Sequence, residues 1–121
     1  MAAKEHGGNG EKPIEEQARE QTGRQVRLTI DEREVQTSYA NAFRTNATAE
    51  EVILDFGVNQ ARPPAKPQGP PEIVFQVNQR LILNYYSAKR LSLALEQVIR
   101  RHEEHFGTLE LDVAKRARRP S

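Results

Sequence analysis

A chain of 121 residues, 36% hydrophobic and 29% charged, is sized for one small domain. It has no cysteine, which excludes disulfides and thiolate metal sites, and no apolar run approaches the roughly 20 residues a membrane helix needs. The net charge of +1 favours no particular partner, although residues 1–79 carry nine Lys/Arg against twelve Asp/Glu and residues 80–121 carry nine against five.

Residues 1–24 are rich in Gly, Glu, Gln and Lys and nearly free of large apolar side chains, so a disordered tail is predicted there. The opening MAAKEHGGNGEKP has no apolar stretch of the signal-peptide kind, and a cytoplasmic location is the expectation. From Gln25 the pattern changes to period two. Val26, Leu28 and Ile30 alternate with Arg27 and Thr29, which predicts a strand. Asp31–Arg33 reads as a turn. Val35, Thr37, Tyr39, Asn41 and Phe43 then share one face of a second strand, and Gln36, Ser38, Ala40, Ala42 and Arg44 share the other. Thr45–Glu50 reads as a hairpin connection. Thr48 with Glu51 matches a capping box, but the following EVILDFG lacks helical spacing. A third strand is predicted instead, with Val52, Leu54 and Phe56 inward and its end at Gly57.

Residues 58–71 hold five of the seven prolines and read as an extended loop between strands. The PxxP spacing of Pro64, Pro67 and Pro70 is better explained by this stiff connection than by an SH3-type ligand. Glu72–Leu83 is the fourth strand, with Ile73, Phe75, Val77, Leu81 and Leu83 on one face and Gln79 as the exception. Asn84 fits a helix N-cap. Ala88, Leu91, Leu95, Val98, His102 and Phe106 then recur at helical steps, widened by Ile99, and predict a helix from Tyr85 to about His105. Gly107 stops it as a C′ glycine. Leu109, Leu111 and Val113 alternate with Glu110 and Asp112 and suit a short final strand. Lys115, Arg116, Arg118 and Arg119 lie in a basic tail, residues 114–121, that is expected to be disordered.

The resulting expectation is one α+β domain over residues 25–113: an antiparallel sheet of about four strands with one long C-terminal helix packed on one face. The other sheet face mixes Arg27, Arg44, Asp55, Gln76, Asn78 and Arg80 with Ala40, Ala42, Ile53, Val74 and Ile82. Such a mixture suits a subunit interface or a binding surface.

Tyr39-Ala40-Asn41, Leu54-Asp55-Phe56-Gly57, Ala88-Lys89-Arg90-Leu91 with Ala94-Leu95, and Glu103-Glu104 before Phe106-Gly107 carry a family resemblance. In this order and spacing they resemble an uncharacterised bacterial family known as domain of unknown function 3467. The resemblance spans about Tyr39 to Gly107. Two positions depart from it: Asn84-Tyr85 stands where the family has Ser/Thr-Pro, and His102 stands where it often has Tyr. The resemblance implies the fold outline and a homo-oligomer. It implies no activity, cofactor or catalytic residue.

The remaining residues point away from catalysis. His102 and His105 flank Glu103-Glu104, but HEEH lacks the HExxH spacing of a zinc protease, and His102 lies on the apolar stripe as an aromatic substitute. Asp55 is a lone strand carboxylate for which Arg44 or Arg80 across the sheet would make an ion pair. Ser38, Ser87 and Ser92 sit in no nucleophile elbow. Asn41, an amide on the core-facing side of a strand, needs a hydrogen-bond partner and is expected to fix the hairpin or a subunit contact. The sequence therefore reads as a non-enzymatic interaction module without cofactor or metal. Its surface would be Asn41, Arg44, Asp55 and Arg80, and its partner a second copy (a dimer is favoured) or another protein, with no membrane. The alternative is single-stranded nucleic-acid binding of PUR or Whirly layout. Arg27, Arg44, Arg80 and the basic tail favour it. The lack of stacking aromatics on the open face, with Tyr39, Phe43, Phe56 and Phe75 assigned to the helix side, opposes it.

Overall fold

Strand formation begins later in the chain than the alternating pattern suggests. The computed structural model describes residues 14–117 and divides into two units, one formed by Ile30–Arg90 and the other by the segments on either side of it. The first unit holds three strands, β1 (Ala42–Ala47), β2 (Glu51–Arg62) and β3 (Glu72–Asn84), in an antiparallel sheet of order β1-β2-β3. Helix α2 (Tyr85–Phe106) follows β3 directly. The α+β class is as expected, with three strands in place of about four. Residues 25–30 form no strand, and the second predicted strand is confined to its C-terminal part from Ala42. Alternation alone did not suffice there, because a strand exists only where a neighbour completes its ladder. Asp31 instead makes the expected turn, its Oδ1 accepting from the Arg33 backbone N–H at 3.0 Å.

β1 and β2 are joined through Thr48. Its backbone N–H donates to Glu51 O at 2.9 Å, and its hydroxyl oxygen accepts from the N–H groups of Glu50 and Glu51 at 3.2 and 3.0 Å. The residue that suggested a helix cap thus closes a hairpin by the same side-chain-to-backbone chemistry. β2 runs on through Arg62, five residues beyond Gly57, because nothing before Pro63 removes a backbone donor.

β2 and β3 pair in register from Glu51↔Asn84 to Phe56↔Gln79, then from Gly57↔Val77 to Arg62↔Glu72. Asn78 is therefore an extra residue in β3, a β-bulge. Side chains alternate along a strand, so one inserted residue exchanges the two faces beyond it. Leu81 and Leu83 share a face with Val52, Leu54, Phe56 and Phe43, whereas Ile73, Phe75 and Val77 lie on the opposite face with Ile53, Asp55, Arg80 and Ile82. This corrects the expectation of one continuous apolar face from Ile73 to Leu83. Gln79, the exception, stays on the Leu81 and Leu83 side opposite Phe56, where its Nε2 donates to the Ser38 hydroxyl at 3.1 Å.

The helix start follows the sequence. Asn84 Oδ1 accepts from the Ser87 N–H at 2.7 Å, the N-cap geometry. Tyr85 then reaches back to the hairpin, its hydroxyl donating to Thr48 O at 2.6 Å. Tyr85→Phe is expected to lower the unfolding free energy by roughly 0.5–1.5 kcal/mol, read from the denaturant midpoint, since one intramolecular hydrogen bond is lost. An unchanged midpoint would mean that the bond contributes nothing to holding the turn.

In the second unit, helix α1 (Ile14–Thr22) occupies part of the segment expected to be disordered, and residues 1–13 of that segment lie outside the described residues. The Leu91–Phe106 part of α2 ends at Gly107, whose φ of 91° and N–H bond to Glu103 O at 2.8 Å are those of a C′ glycine. The predicted final strand does not form within the chain. Residues 107–112 are in neither helix nor strand, and a short helix α3 (Val113–Ala117) follows, with Asp112 Oδ1 accepting from the Ala114 N–H at 2.9 Å. Residues 118–121 of the expected basic tail lie outside the described residues.

Among the described residues no apolar side chain is buried. Phe43 is 69% exposed and Leu81 51% on one sheet face, Ile73 68% and Ile82 56% on the other, and Leu91, Leu95 and Val98 are all exposed along α2. No described helix is long and apolar enough to cross a membrane.

Candidate functional site

The only buried polar side chain among the described residues is Asp55, at 2% exposure, and it lies midway along β2. Strand register places it directly between two cations: Arg44 is its neighbour on β1 and Arg80 its neighbour on β3. Cross-strand neighbours project to the same face, so the three side chains form one row across the sheet. Arg44 Nε donates to Asp55 Oδ2 at 2.8 Å; Arg80 Nε donates to Oδ1 at 2.7 Å and its Nη2 to Oδ2 at 3.1 Å. Both carboxylate oxygens are thereby occupied. The sequence offered Arg44 or Arg80 as the partner, and the register supplies both.

The two Arg80 hydrogen bonds, and then the Arg44 bond, hold the Asp55 carboxyl down at about 2, against the opposing effect of burial. The Arg80 guanidinium is correspondingly raised, first by its bonds to Asp55. The arginines remain largely exposed beyond the clamp, with side chains 61% and 57% accessible, and the row carries a net charge of +1. It is bordered on its own face by Ile53 and Ile82, and beyond the bulge by Val77, Phe75 and Ile73. Phe75 therefore belongs to the arginine face, a correction to its assignment on the opposite side. The bulge at Asn78 is the cause.

Asn41 sits at the end of the β1–β2 ladder. Its N–H donates to Gly57 O at 3.0 Å and its Oδ1 accepts from the Asn59 N–H at 3.0 Å. The amide thus continues the ladder one step beyond the last backbone pair, a hairpin-fixing role. It does not join the Arg44–Asp55–Arg80 row. The His102 ring lies against Phe106 with centroids 4.9 Å apart, and His105 Nδ1 is 3.0 Å from Arg101 O.

Gly57 escaped the sequence reading, which took it as a strand terminus. It is buried inside β2 opposite the bulge, and a Cβ there would overlap the Gln76 carbonyl oxygen and come within 2.8 Å of its carbon. A glycine between Phe56 and Val58, well before Pro63, is the signal that would have shown it.

A comparison with known families matches residues 4–111 to the family described as "Protein of unknown function (DUF3467)". No curated protein and no solved structure matches the chain.

Proposed function

This chain belongs to the DUF3467 family, and we propose that it is a non-catalytic homo-oligomeric interaction module, a dimer in the simplest case, working through the sheet face that bears Arg44, Asp55 and Arg80. The absence of any buried apolar side chain among the described residues carries this reading. A domain this small depends on burying well over half of its unfolded surface. Fully covering one Leu, Ile or Phe is worth roughly 1.5–3 kcal/mol, so a second copy that covered five of them would supply on the order of 10 kcal/mol. That is comparable with the roughly 4–15 kcal/mol cost of association. The arginine row adds direction to the apolar surface, because guanidiniums fixed by a buried carboxylate need little further ordering on contact.

The state of Asp55 supports a non-catalytic role for that residue. A carboxylate held at about 2, with both oxygens hydrogen-bonded to guanidiniums, is a poor proton acceptor at neutral pH. Nucleic-acid binding is a second reading, favoured by the placement of Phe75 on the arginine face. It ranks lower because the row's net charge of +1 would neutralise little phosphate, and Arg44 and Arg80 already spend their Nε donors on Asp55.

Sedimentation velocity at tens of micromolar is expected to give a dimer. A monomer under those conditions overturns the proposal. Anisotropy titration with labelled single-stranded DNA at low salt is expected to show no binding, and saturable binding would move the second reading ahead of the first.

A further inference from the structure

Two features of the chain are complementary. β3 is an edge strand thirteen residues long, with β2 on one side and no strand on the other among the described residues. Residues 107–112 lie in no strand, yet Leu109, Leu111 and Val113 alternate with Glu110 and Asp112 in strand period, and Leu111 is 87% exposed. Among the described residues, the backbone N–H groups of Glu110 and Leu111 have no hydrogen-bond partner.

We propose that the Leu109–Asp112 segment of a second copy adds to the open edge of β3 as a fourth strand. This rests on the homo-oligomer reading above and adds to it an edge contact, beside the arginine face, made by a named segment. The edge offers β3's unpaired backbone donors and acceptors, which is the chemistry of strand addition. The side chains fix the alignment. On β3, Leu81 and Leu83 point to one face and Arg80 and Ile82 to the other. An antiparallel strand that places Leu111 opposite Leu81 also places Leu109 opposite Leu83, forming two leucine pairs on one face. On the other face it places Asp112 opposite Arg80.

The row across the sheet then reads Arg44, Asp55, Arg80, Asp112, with the sign of charge alternating through all four strands. Asp112 uses Oδ1 to cap α3, and Arg80 commits Nε and Nη2 to Asp55, so Oδ2 and Nη1 remain for each other. A slip of one residue would set the leucines against Arg80 and Ile82 and Glu110 against Leu81, so parity is strongly specified. Two copies exchanging this segment reciprocally satisfy a two-fold axis and leave neither β3 edge open.

The chain has no cysteine, so engineered pairs report without background. Leu81→Cys and Leu111→Cys are made in separate copies of the full chain, mixed, and oxidised. Directly opposed strand residues lie about 4.5–5.5 Å apart at Cα, within disulfide reach. Most of the mixed material is expected to run as a covalent heterodimer on a non-reducing gel, while Ile82→Cys mixed with Leu111→Cys gives severalfold less, because those side chains fall on opposite faces. If sedimentation gives a dimer and the Leu81/Leu111 mixture does not link, or links no better than the Ile82 control, the segment assignment is overturned and the oligomer reading stands. If sedimentation gives a monomer and nothing links, both fail.

Discussion

Gly57→Ala is expected to lower stability by about 3 kcal/mol, at the upper end of the range for overpacking. The added methyl group would overlap the Gln76 carbonyl oxygen and lie 2.8 Å from its carbon and 2.9 Å from Val77 Cα, all of them β3 backbone. A flexible side chain could rotate away; a strand edge held by its ladder cannot without moving the bulge. The bulge also decides that Ile73, Phe75 and Val77 join the arginine face, so the substitution acts on the surface as well as on stability. A loss of about 3 kcal/mol is a large share of the roughly 5–15 kcal/mol that holds a small domain together. Denaturant midpoints of the two proteins should be compared at one fixed concentration, since association contributes to the measured value. Gly69→Ala is the contrast, with its new methyl 3.3 Å from the Lys66 carbonyl oxygen in the proline-rich loop, and it should change stability by no more than about 0.5 kcal/mol. Equal midpoints for Gly57→Ala and the parent chain would mean that the β2–β3 approach is looser than described.

The residues that identified the architecture were those whose signals are local. Asn84 as N-cap, Gly107 as C′ residue and the apolar spacing of α2 depend on a few adjacent positions, and each is found where the sequence puts it. The sheet was only partly legible, because a strand is completed by residues far away in the chain. Val26, Leu28 and Ile30 alternate as well as Val52, Leu54 and Phe56 do, yet only the second set has neighbours to pair with. The bulge was invisible for a related reason. Nothing in Val77-Asn78-Gln79 marks an extra residue until the β2 partners are known, and from that point every face assignment toward Ile73 changes. Asp55, Arg44 and Arg80 were legible as individual residues of one face. Their convergence into a single row required the register.

Removing the Asp55 charge is the other change expected to have a large effect, and its sign can be worked out against pH. The carboxyl titrates at about 2 in the folded chain against an ordinary value of 3.8. Between those values the unfolded chain binds the proton more readily, so stability rises with pH across the window. The contribution is fully present above about pH 4 and is lost as pH falls through about 2. Asp55→Asn should therefore be less stable than the parent at neutral pH, where Arg44 and Arg80 would face each other across β2 without a counter-charge, and its stability should fall less steeply between pH 4 and pH 2. The two arginines should not contribute equally. Arg80 makes two bonds to the carboxylate and Arg44 one, so Arg80→Ala should raise the Asp55 titration midpoint more than Arg44→Ala, as read from the carboxyl carbon resonance. Equal shifts from the two variants, or an Asp55 midpoint near 3.8 in the parent chain, would contradict the clamp. Because Asp55 stays ionised far above its midpoint, the row keeps one charge state from pH 5 to pH 8. Association through this face should be flat over that range and weaken only in acid, when the carboxylate that orients both guanidiniums takes up its proton.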